Sequence, residues 1–148
     1  MDKKEALKQI KAGDFFLGNA DEKLKTDKKF ILAVVKHSGL LLQNVDEKLK
    51  SDKEVVLAAV KQNGAAFQYA DKKLKGDKKF ILAAVKQKET DSVAPPPTRA
   101  LQYADEKLKA DKEVILTSIK QDASTLEYAD KKLKADKEVV LAAVKQNG

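Results

Sequence analysis

The stretch DKEVVLAAVKQNG, residues 52–64, decides the fold. Asp52 supplies a side-chain oxygen for a helix N-terminus, and Ser51 with Glu54 has the spacing of a capping box. Val55 to Val60 is apolar almost all round, as in a helix buried on more than one side. Ala58 and Ala59 let a neighbouring backbone come close. Asn63–Gly64 reads as the stop, with Gly64 as a left-handed C′ residue; Gly39 and Gly148 stand in the same place. Valine favours strands. The caps, the alanines and the lack of alternation argue for a helix instead.

Working outward, the string [AV]DxKLKxDK recurs at Ala20, Val45, Ala70, Ala104 and Ala129, at spacings of 25, 25, 34 and 25. Each copy runs into an apolar block that ends in lysine. A fixed period of this length means stacked supersecondary units. The piece AAFQYADKKLK, residues 65–75, reads as the first helix of a unit. Its Ala66, Phe67, Ala70 and Leu74 share one helical face, and it stops near Lys75. The expected fold class is all-α: a short-repeat α-solenoid of stacked helix pairs, with about eleven short helices. An isolated helix of this length is marginal in water, so packing between units must hold it.

The units divide the chain. Residues 1–13 form a half-repeat, an N-terminal capping helix in which Lys8 and Gln9 replace Ala58 and Ala59. Residues 14–87 hold repeats 1–3 and residues 99–148 hold repeats 4–5. Residues 88–98, KETDSVAPPPT, are a Pro-rich loop insertion that accounts for the nine extra residues of the longer spacing. Pro95, Pro96 and Pro97 favour a polyproline II path. The insertion reads either as a linker between two sub-stacks or as a protruding binding loop, with Arg99 at its edge.

Leu101-Gln-Tyr-Ala-Asp, then Leu108-Lys, and the whole of residues 52–64 together resemble a family of tandem repeats known as domain of unknown function 4116. The resemblance covers nearly the whole chain outside residues 88–98. It implies tandem helical repeats and implies no activity, so no functional residue is carried over from it. In fold alone, the short helix pair is similar to leucine-rich-repeat-variant and HEAT-type solenoids.

The formal net charge is +7, and Arg99 is the only arginine. Asp21, Asp46, Asp71, Asp105 and Asp130 precede Lys25, Lys50, Lys75, Lys109 and Lys134 by four residues, the favourable order for helical ion pairs. Asp27, Asp52, Asp77, Asp111 and Asp136 suit helix starts. Lys36, Lys61, Lys86, Lys120 and Lys145 suit helix ends. Structural roles thus account for most of the charge. The functional alternative is a basic stripe through Lys25, Lys50, Lys75, Lys109 and Lys134 that meets nucleic acid or an acidic protein surface. A further column changes along the chain, from Asn19 and Asn44 to Tyr69, Tyr103 and Tyr128. These tyrosines either pack with wet hydroxyls or form an exposed contact row.

The chain has one histidine and no cysteine, which removes disulfides and thiolate chemistry. His37 stands where other repeats carry glutamine, so neither a zinc site nor a catalytic triad is expected, nor any cofactor. No phosphate-binding glycine motif is present. No apolar stretch spans a bilayer and the N-terminus has no signal-peptide core. A cytoplasmic protein that is not an enzyme is expected. Its first expected function is protein–protein interaction. A second is a small inhibitor, of the anti-CRISPR or another counter-defence type, that blocks a nucleic-acid-processing enzyme. A third is direct binding of nucleic acid or a nucleoprotein complex through lysine stripes. The last helix keeps the interior sequence Leu141, Ala142, Ala143, Val144, which suggests a homodimer or partner contact there.

Overall fold

The computed structural model describes residues 1–87 and 94–147. The expected class holds: the described residues are helical, with no strand among them. The α-helices are α1 (Lys3–Ala12), α2 (Glu22–Lys25), α3 (Lys28–His37), α4 (Glu47–Lys50), α5 (Lys53–Gln62), α6 (Lys72–Lys75), α7 (Lys78–Val85), α8 (Glu106–Lys109), α9 (Lys112–Gln121), α10 (Lys131–Lys134) and α11 (Lys137–Asn147). Short 3-10 helices precede the one-turn helices, at Leu17–Asn19, Gly39–Asn44, Gly64–Tyr69, Pro97–Tyr103 and Ala123–Tyr128.

The first element of each unit is therefore two pieces and not one helix. In the third repeat Ala70 is extended, with ψ of 155°. Asp71 then caps a fresh turn, its carboxylate accepting from the Lys73 N–H at 2.8 Å. Asp46, Asp105 and Asp130 do the same for α4, α8 and α10. Carboxylates used this way are not the i,i+4 partners of the lysines that follow, which corrects the ion-pair expectation.

The long helix of each unit starts as expected at an aspartate. Asp52 accepts from Glu54 and Val55 at 3.0 and 3.1 Å. Asp27, Asp77, Asp111 and Asp136 cap α3, α7, α9 and α11 alike. The capping box does not form. The Ser51 hydroxyl instead donates to the Lys48 carbonyl at 2.8 Å and closes the preceding turn. The stop also differs from expectation. Asn63 is extended, and Gly64 opens the next 3-10 helix. Among the described residues the one left-handed backbone is Gly13, φ 82°, at the end of α1. Gly64 and Gly39 are glycines because neighbours come close: a Cβ would collide with the Pro96 carbonyl at Gly64 and with the Ala59 carbonyl at Gly39.

Successive long helices lie side by side, and successive 3-10 turns form a second layer behind them. Within α5, Val55, Val56, Ala59 and Val60 are all buried. The two outer helices, each with one neighbour among the described residues, separate them into a pair that faces the unit before (Val55 and Ala59) and a pair that faces the unit after (Val56 and Val60). In α1 the positions of Val55 and Ala59 are polar Glu5 and Gln9, while Ala6 and Ile10 are buried. In α11 Val139 and Ala143 are buried, while Val144 is 61% exposed. Phe67 and Phe80 stack at 5.5 Å and tie a 3-10 turn to its long helix.

Two ladders bind unit to unit. The Asp71 N–H donates to the Lys50 carbonyl, Asp105 to Lys75, and Asp130 to Lys109, at 2.9–3.0 Å. The lysine after each cap reaches the next cap: Lys3 to Asp27, Lys28 to Asp52, Lys53 to Asp77, Lys78 to Asp111, and Lys112 to Asp136, at 2.7–3.1 Å. Both ladders run through the junction of repeats 3 and 4. The stack is continuous there, which overturns the reading of two linked sub-stacks. Of the insertion, residues 88–93 lie outside the described residues. No helix among the described residues is long and apolar enough to cross a membrane.

Candidate recognition surface

The long helices each present one side away from the core, and that side repeats. Its first row is Leu32, Leu57, Leu82 and Leu116, half-buried, and Leu141, exposed. Four residues on, and so on the same helical face, stand Lys36, Lys61, Lys86, Lys120 and Lys145, all exposed. Small residues fill the space between: Ala33, Ala58, Ala83, Thr117 and Ala142. Grooves run between neighbouring helices on this side. One of about 250 Å³ is lined by Lys36, Ala58, Lys61 and Gln62. Another of about 320 Å³ is lined by Leu116, Lys120, Glu138, Leu141, Ala142 and Lys145.

Charge on this face is unbalanced. None of these five lysines forms an ion pair with a described residue. The acids on the opposite rim of the leucine row, Glu54, Glu113 and Glu138, are held by Lys28, Lys78 and Lys112 at 2.7–2.8 Å. Those lysines are held in turn. Glu54 and Asp52 raise the Lys28 pKa, Asp111 and Glu113 that of Lys78, and Glu138 and Asp136 that of Lys112. Lys29 and Lys79 take the glutamate position in repeats 1 and 3 and are exposed.

The lysines singled out from the sequence lie elsewhere. Lys25, Lys50 and Lys109 are 24, 14 and 18% exposed, and they bond Glu22, Glu47 and Glu106 at 2.6, 2.6 and 3.1 Å. The Lys75 ammonium donates to the Gln68 carbonyl at 2.7 Å, and burial, then Lys72, lowers its pKa. Only Lys134 of that column is exposed. The column is thus not a free stripe. In repeats 1, 2 and 4, though not in repeats 3 and 5, which read KKLK, a signal in the sequence separates the two columns. EKLK places an acid three residues before its lysine, whereas Lys61 has Leu57 and Ala58 before it and Gly64 and Ala65 after.

Tyr69, Tyr103 and Tyr128 are half-buried and pack against the core, as in the packing alternative. Burial, then Glu127, raises the Tyr128 pKa. Pro96 follows the extended path expected of it, but Pro97 opens a 3-10 helix, at a first position that tolerates proline. Pro97 is buried, and the Pro95 carbonyl accepts from the Gly64 N–H at 2.9 Å. These prolines dock the fourth repeat onto the third. Arg99 is exposed on a cleft of about 150 Å³ with Asp122, Ser124 and Tyr128. At the C-terminal end, Leu126, Ala143, Val144 and Asn147 line an open groove of about 420 Å³.

Continuous ladders, a fixed unit and a periodic outer face define a tandem helical-repeat stack. The family model described as Domain of unknown function (DUF4116) matches residues 27–75, 52–109, 77–134 and 111–148, and the chain belongs to this family. Each match begins at the aspartate that caps a long helix, so the family's unit is phased on that helix. No curated protein and no solved structure matches the chain.

Proposed function

We propose that the chain is a non-enzymatic protein-recognition module that binds through its long-helix face. One observation carries this reading: five exposed lysines, without carboxylate partners among the described residues, flank a row of leucines at the same step along the stack. Lys23, Lys48, Lys73, Lys107 and Lys132 are also exposed and unpaired among the described residues, so what sets the five lysines of the long helices apart is the leucine row beside them. Leucine and alanine beside them offer an apolar surface that a protein can cover. Nucleic-acid binding through the same lysines fits the face less well. The face carries no arginine and no aromatic side chain for base contacts or stacking.

The experiment is site-specific photo-crosslinking in the native host. A benzophenone side chain at Ala83, on the lysine–leucine face, is expected to give a discrete protein adduct. The same group at Gln43, exposed on the 3-10 layer, is expected to give none. Adducts to nucleic acid from Ala83 would contradict the reading.

A further inference from the structure

We infer that the long-helix face takes an acidic amphipathic helix of a partner protein, laid along the stack, whose apolar and acidic residues recur every seven positions. This rests on the protein-recognition reading and gives its partner a chemistry. Packed helices lie about 8–10 Å apart, so each row on this face steps by that distance from Lys36 to Lys61 and onward. A helix rises about 1.5 Å per residue and returns to the same side after two turns, so seven residues advance it by about 10.5 Å. One heptad therefore matches one repeat to within about 0.5–2.5 Å. In each heptad an apolar side chain enters the groove beside a leucine, and a carboxylate meets the lysine four residues further along the repeat's helix.

The electrostatics support an acidic occupant along the lysine column, and on both sides of the leucine row in repeats 1 and 3. In repeats 1 and 3 the leucine lies between two lysines, Lys29 and Lys36 or Lys79 and Lys86. In repeats 2, 4 and 5 the rim acid shares one lysine of the repeat before it with the capping aspartate, so there the acidic occupant is drawn to the lysine column alone. A phosphate backbone fits worse. Its charges along a strand come about every 3.4 Å, so most would find no lysine, and the leucines would face phosphate.

The test is fluorescence anisotropy with a helix-stapled 28-residue peptide carrying leucine and glutamate at heptad spacing. Its control has the same composition and staple in scrambled order, and a single-stranded oligonucleotide is the third probe. The heptad peptide is expected to bind at least tenfold more tightly than the scrambled one. Lys61→Glu, Lys86→Glu and Lys120→Glu together are expected to weaken it at least tenfold. Reversal of Lys48, Lys73 and Lys107, exposed on the one-turn helices, is expected to change it less than twofold. Circular dichroism melts confirm that both triple variants fold. Equal binding of the two peptides, no binding of either, or tighter binding of the oligonucleotide would overturn the inference. Photo-adducts to protein from Ala83 would still stand in the first two cases, which separates this failure from failure of the functional reading.

Discussion

Gly64 and Gly76 show how differently one residue type serves this chain. Gly64 lies where the Pro96 carbonyl leaves no room for a Cβ, while a Cβ at Gly76 makes ordinary contacts with the tip of Lys107 at 3.7 Å and the Lys72 carbonyl at 3.9 Å. Gly64→Ala is expected to destabilise by about 1–3 kcal/mol, as overpacking does. Gly76→Ala is expected to stabilise by about 0.4–1 kcal/mol, because it narrows the unfolded ensemble without strain; Ala110 and Ala135 already fill that place in later repeats. Chemical denaturation of the two variants checks both signs. The sequence could not separate these roles. An Asn-Gly pair after a helix suits a left-handed stop and a close approach equally well, and the deciding carbonyl belongs to another repeat. Asp52 was legible because its column recurs directly before an apolar run. Ser51 was misleading because a hydroxyl there can close the turn behind it as readily as cap the helix ahead.

At the scale of elements, the long helices were readable and their partners were not. The buried run and its cap are local. The break at Ala70 comes from Asp71 capping a new turn, which a shared apolar face conceals. The caps also set a pH dependence. Lys53 and the Phe80 N–H hold the Asp77 carboxyl below its usual range, the Phe30 N–H and Lys3 do so for Asp27, and the Val139 N–H and Lys112 for Asp136. A depressed carboxyl stabilises the fold above its unfolded pKa, about 3.9, and that stabilisation is lost as pH falls through the folded pKa. The melting temperature is therefore expected to hold from pH 7 to 5 and to fall below about pH 4. Asp77→Ala is expected to cost about 1 kcal/mol at pH 7 and to make the acid fall shallower. A fall as steep as in the unaltered chain would mean that this cap does not titrate with folding.

For the whole molecule, residues 52–63 and 136–147 are the same twelve-residue string in two settings. Val60 is fully buried between repeats and Val144 is 61% exposed. Val60→Ala is expected to cost about 1–3 kcal/mol and Val144→Ala under about 0.5. Equal costs would contradict the arrangement of the stack. Repetition made the fold legible, since every unit states the same pattern again. It hid the recognition surface for the same reason: columns of lysine look alike until the structure shows which have partners. The lysines after each cap, such as Lys28 and Lys78, went unnoticed in the sequence because their carboxylates lie a whole repeat away. The central claim is that protein contact runs through the lysine–leucine face. Its most direct test is the Ala83 photo-adduct, repeated with Lys61, Lys86 and Lys120 all changed to glutamate. The adduct is expected to disappear while the variant still melts cooperatively, with a melting temperature lowered only by the three lost charge–dipole contacts at helix ends. An undiminished adduct in the triple variant, or a stronger protein adduct from Gln43, would contradict it.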